Sequence, residues 1–221
     1  MQLANPRIKE AHRKWLYTPF ILLYVTLGVL FTVQGRAWGI DAWLSLAFLV
    51  FVIAINRWLK LGVTGFLLLN IPLLTHNLGA FGLYGTTFFG LGFDKYQHFL
   101  SSAVAAYIVF HFLAHKLHVK NHETKKQTVI DDHTTTLVLL VIAVVTLLGL
   151  GIELLEFSGY VLFEEGEGIL FSGDGDVLTL HGSDGNYVDT MTDFIANTFG
   201  AIFGSLLYYL GTYKQRPWTQ Y

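Results

Sequence analysis

Long apolar runs separated by short polar stretches set the plan of this chain. Six segments, 15–34, 40–58, 61–81, 95–116, 135–162 and 188–211, are predominantly apolar. Each has about the 20 residues that a helix needs to cross a bilayer. The pattern predicts an all-α polytopic membrane helical bundle of six transmembrane helices, with a single integral membrane domain over 1–221. The connections differ in character. Residues 1–14 are basic, and 79–92 (GAFGLYGTTFFGLG) are apolar but rich in glycine, which suits a re-entrant or surface-lying loop. Segment 117–134 reads as a polar loop. Segment 163–187 has two short apolar runs around Ser172-Gly-Asp-Gly-Asp176 and suits a small β-hairpin. Pro72 is expected to kink or break the third span.

Composition agrees with this plan. Hydrophobic residues make up 53% and charged residues 14% of the 221, and the mean hydropathy is +0.49, the profile of an integral membrane protein. The spans nearly use up the chain, so no soluble catalytic domain is predicted. There is no cysteine, which excludes disulfides and thiolate metal sites. The basic N-terminal stretch leads into a full-length span, unlike a cleavable signal. A net charge of −2 gives no reason to expect a nucleic-acid partner.

The positive residues orient the spans. With the N-terminus inside, twelve of the 14 Lys and Arg residues fall on the cytoplasmic side, and only Arg36 and Lys95 fall outside. This positive-inside bias puts both termini in the cytoplasm of a multi-pass protein of the cell inner (plasma) membrane. The outer loop 163–187 has no Lys or Arg and carries six acids.

Ionisable residues inside the spans are the chemical anomaly. A charge near the bilayer centre costs about 3 kcal/mol on insertion scales. The fourth span nevertheless opens with Asp94 and His98, the fifth carries Glu153 and Glu156, and the sixth carries Asp189, Asp193 and Asn197. Spacings of three or four residues put the members of each group on one helix face. Orientation sends all of them to the outer half of the membrane, where His76 also lies at the end of the third span. The first two spans read as plain. Asp189 and Lys95 are the groups nearest water and read as interfacial charges.

Three chemistries fit this set. His98, Glu153, Glu156, Asp193, Asp94 and Asp189 offer hard oxygens and an imidazole to a divalent cation, with Zn, Mn, Fe or Mg as candidates. So many carboxylates cannot all be ionised in a low dielectric, so a protonated acid beside an ionised one would form an acid/base pair. The third is a hydrogen-bond network joining helices without a ligand. Asn197 and Lys95 are supporting residues in the first two. Gly200-x-x-x-Gly204 supplies a small-residue face for close helix packing. His111, His115 and His118 also share a face, which reads as the polar end of a helix.

Three strings resemble the VanZ-like family of small membrane proteins. They are Asp94-Lys-Tyr-Gln-His98-Phe, Gly151-Ile-Glu153-Leu-Leu-Glu156 and Asp193-Phe-Ile-Ala-Asn197-Thr-Phe-Gly200-Ala-Ile-Phe-Gly204. Their order and spacing match over roughly half the chain. Glu156 stands where the family pattern has glutamine, and no arginine precedes the last helix. With His76 and Asp189-Thr-Met-Thr-Asp193, these departures make the chain most similar to the YjdF-like inner-membrane proteins of unknown function. The resemblance implies that Asp94, His98, Glu153, Glu156, Asp193 and Asn197 belong to one motif set.

The sequence therefore leads to an expected membrane hydrolase or transferase, metal-dependent or acid/base. Its catalytic set would be His76, Asp94, His98, Glu153, Glu156 and Asp193, and its partner a membrane lipid or lipid-linked small molecule at the extracytoplasmic face. The alternatives are a cation- or proton-coupled transporter and a non-catalytic lipid-binding or structural protein.

Overall fold

The computed structural model describes residues 10–35, 39–124, 134–163 and 185–213. The helices are α1 (Glu10–Val33), α2 (Gly39–Leu59), α3 (Val63–Leu78), α4 (Phe93–Thr124), α5 (Thr134–Phe163) and α6 (Gly185–Tyr208). Six stretches are long and apolar enough to cross a membrane, two of them running past the ends of α3 and α6: Trp15–Val33, Ile40–Leu59, Val63–Leu83, Phe93–Lys116, Thr135–Ser158 and Tyr187–Gly211. The six expected spans are thus all present, and the architecture is all-α. Helices satisfy their own backbone, as a lipid-embedded chain requires.

Two local expectations change, and a third is untested. α4 continues to Thr124, well into the segment read as a loop from 117. α3 runs through Pro72 without breaking; the proline costs one backbone hydrogen bond, and packing on the buried side of the helix outweighs it. The hairpin expected in 163–187 lies almost wholly outside the described residues. A hairpin does occur earlier, in the glycine-rich stretch: β1 (Thr87–Phe88) pairs antiparallel with β2 (Leu91–Gly92). Its two turn residues, Phe89 (φ 51°) and Gly90 (φ 81°), both have positive φ, as a type I′ turn requires.

The chain divides into two compact units. One comprises Met1–Asp94 with Ile152–Asp189, and the other Lys95–Gly151 with Thr190–Tyr221. In the first, the Trp43 indole of α2 lies where a Cβ on Gly28 would sit, and its Nε1 donates to Thr32 Oγ1 at 3.1 Å. α3 is followed by a wide turn, Gly79–Leu83, that leaves helical geometry at Gly82 (φ 146°). Phe31, Ala42 and Ala80 form a small core there. Tyr24 donates from its hydroxyl to Asn70 Oδ1 at 3.3 Å, a buried polar link between α1 and α3.

In the second unit α4, α5 and α6 share a core of Ala106, Phe110, Ala114, Leu137, Val141, Val145, Ala201 and Tyr208. The two glycines of α6 set its spacing from α4. A Cβ on Gly200 would stand 2.2 Å from the Phe99 carbonyl oxygen, and one on Gly204 would stand 1.9 Å from that of Ala103. Only hydrogen fits at either place. The expected packing role of the Gly-x-x-x-Gly face is therefore met by α4. Gly200→Ala and Gly204→Ala should each lower stability by about 1–3 kcal/mol or more, because a backbone carbonyl cannot step aside. Gly211→Ala, with nothing within 4 Å of the added atom, should change little. Thermal unfolding of the purified variants in detergent measures the difference.

Candidate functional site

Close approach of α6 and α4 lets short side chains meet across the second unit. Lys95 lies near the start of α4, and its Nζ donates to Asp193 Oδ2 on α6 at 3.1 Å. The lysine side chain is 7% exposed and the aspartate 1%. His98, three residues along α4, brings Nε2 to 3.7 Å from the other carboxylate oxygen, Oδ1. One turn further into both helices the Ser102 hydroxyl donates to Asn197 Oδ1 at 2.7 Å. Gly149 of α5 makes room for Asn197, since a Cβ there would stand 2.8 Å from Nδ2. The residues at 193, 197, 200 and 204 follow the helical repeat, so one face of α6 carries both the polar contacts and the glycines.

Asp193 is thus held between an ammonium and an imidazole. At 3.7 Å the imidazole contact is electrostatic rather than a hydrogen bond. Lys95 is not at a water-facing rim: it is buried on its carboxylate partner. Asp189, also expected at the rim, is buried as well. For Lys95 the cause is the opposite charge: burial of its ammonium is tolerated where the Asp193 carboxylate meets it.

The remaining expected residues belong to the first unit. Asp94 and Asp189 each bring a carboxylate oxygen within 4.8 Å of the other. On α5, Glu153 is buried and Glu156, one turn on, is half-buried. His76 of α3 meets a residue that sequence reasoning passed over: its Nε2 stands 3.7 Å from Oδ1 of Asp41. Its Nδ1 is hydrogen-bonded to the Tyr84 hydroxyl at 2.5 Å. Gly79 permits this bond, because a Cβ there would stand 2.4 Å from the Tyr84 ring. The second span is consequently not plain. It buries Asp41, Ser45 and Asn56, and the i, i+4 spacing of Asp41 and Ser45 was the available signal.

A family model described as "Predicted membrane protein (DUF2238)" matches residues 14–214. That description carries neither a VanZ nor a YjdF name. No curated protein and no solved structure matches the chain.

The Lys95–Asp193 pair should behave as a buried ion pair. Lys95→Met alone leaves a buried carboxylate without its lysine and should cost about 3–5 kcal/mol. Lys95→Met combined with Asp193→Leu removes both charges and should recover most of that loss. A double-mutant cycle from detergent unfolding reads the coupling directly.

Proposed function

We propose, for a chain that belongs to the DUF2238 family of predicted membrane proteins, an acid/base site that acts on a lipid or lipid-linked substrate at the extracytoplasmic face. The observation that carries this reading is the buried Asp193 carboxylate with Lys95 on one oxygen and His98 beside the other. An ionisable group inside a membrane span is a functional residue by default, because packing alone does not require one. Here three of them share one contact.

Each has a separate role in this reading. His98 exchanges the proton with the substrate, since imidazole is the side chain suited to giving and taking protons near neutral pH. Asp193 fixes the imidazole and offsets its charge when it is protonated. Lys95 anchors Asp193 by a hydrogen bond and adds a positive field that favours an anionic head group. Asn197, tied to Ser102, keeps α6 from rotating away from α4. The outward orientation rests on the twelve-to-two distribution of positive residues between the two sides. Lipid or lipid-linked substrates fit because most of the described chain lies in the six candidate spans.

One observation favours a second reading. The approach of Asp94 and Asp189 to within 4.8 Å suits two carboxylates that share a proton or a divalent cation, as a cation- or proton-coupled transporter would use them. The enzyme reading is tested by comparing membrane lipids and lipid-linked intermediates in cells lacking the protein and in cells expressing variants. His98→Ala and Asp193→Asn should lose turnover by about 100-fold or more, and the folded Lys95→Met/Asp193→Leu variant should also be inactive. Full function in that double variant would reduce the pair to a structural element and remove the proposal.

A further inference from the structure

The first unit contains a second polar constellation that the acid/base reading does not use. Asp41 lies in the first turn of α2, where the helix dipole favours a negative charge. The residue is 1% exposed, and among the described residues neither carboxylate oxygen accepts a hydrogen bond. The His76 Nε2, also buried and without a hydrogen bond among the described residues, stands 3.7 Å from Oδ1. Next to His76, Asn77 donates from Nδ2 to Ser45 Oγ at 3.0 Å, and Ser45 lies one helical turn on from Asp41. Asn77 Oδ1 is a further buried oxygen that accepts no hydrogen bond. Three neighbouring positions on the facing sides of α2 and α3 thus present lone-pair atoms that the described residues leave unsatisfied.

We infer that Asp41 and His76 form a binding site for a divalent transition-metal ion of the zinc type, with Asn77 Oδ1 as a further oxygen. The distance supports a shared ion over a direct bond. At 3.7 Å the contact is too long for a hydrogen bond. Two ligands about 2.1 Å from one zinc ion in tetrahedral geometry stand about 3.4 Å apart, within a few tenths of an ångström of what is seen. The hydrogen bond between Nδ1 and the Tyr84 hydroxyl supports it as well. In the tautomer where Nδ1 donates to the Tyr84 oxygen, Nε2 keeps a free lone pair for a metal, as in sites where an outer partner fixes the histidine. Carboxylate with imidazole selects Zn, Fe, Mn or Co over the all-oxygen sites of Mg or Ca and the sulfur sites of Cu(I). Finally, a buried carboxylate that accepts no hydrogen bond is costly, and a cation removes the cost.

The test uses the full-length protein in detergent, stripped with chelator and titrated with zinc alone. The wild type should take up one zinc per site of this kind and melt at a higher temperature with zinc than without it. Asp41→Asn should abolish that zinc-dependent shift. Its metal-free form should melt no lower than the wild type's, because the amide removes an unsatisfied buried charge. His76→Gln should lose the shift too, and Tyr84→Phe should need 10–100-fold more zinc, the usual effect of losing an outer partner. A wild type that binds no zinc, or zinc uptake unchanged in both Asp41→Asn and His76→Gln, overturns the site. His98→Ala and Asp193→Asn are predicted to keep the shift, so loss of lipid turnover and loss of this metal are separate results.

Discussion

The closeness of α6 to α4 is the constraint on which the second unit depends. In lipid, apolar side chains gain little from leaving one hydrocarbon surface for another, so helices associate through close van der Waals contact and polar bonds. Gly200 and Gly204 provide the first by letting the Phe99 and Ala103 carbonyls occupy the space of a Cβ. Lys95–Asp193 and Ser102–Asn197 provide the second. The two effects need each other. Without the glycines the polar side chains would not reach, and without the polar bonds the inward acid would be an uncompensated charge.

The first unit solves a similar problem with different parts. Gly28 receives the Trp43 indole, and Gly79 receives the Tyr84 ring. The wide turn at Gly79–Leu83 carries the chain from α3 to Tyr84, and that turn brings the tyrosine hydroxyl back onto His76. Glycine in a helix interior normally lowers helix stability by about 1 kcal/mol relative to alanine. Here the loss is offset by a ring packed against the backbone and by the hydrogen bond its polar atom makes. The polar residues of α2 and α3 become intelligible only as a set, since Asp41, Ser45, His76 and Asn77 lie on opposed faces.

Polar burial therefore separates into two kinds. Some groups are matched among themselves: Asn56 donates to the Tyr17 hydroxyl at 2.8 Å and accepts from the Leu61 amide at 2.9 Å, and Asn70 joins Tyr24 to Phe66. These tie helices together and need no ligand. Asp41 and His76 are not matched in this way, and the difference is what gives them chemical interest. The Lys95–Asp193–His98 group falls between the two: its charges are compensated, but three ionisable groups exceed what a structural link needs.

The apolar runs alone determined the number, type and approximate limits of the six helices, because a helix that crosses lipid must be long and apolar whatever it packs against. The spacing of acids along one helix likewise revealed which residues share a face, and the Gly-x-x-x-Gly pattern revealed which face packs closely. The choice of partner was beyond the reach of spacing. That Lys95 turns inward to Asp193, that His76 meets Asp41, and that Gly79 accommodates Tyr84 all depend on how helix faces are rotated against each other. That rotation is set by steric fit summed over many side chains, so it appears only in the tertiary structure.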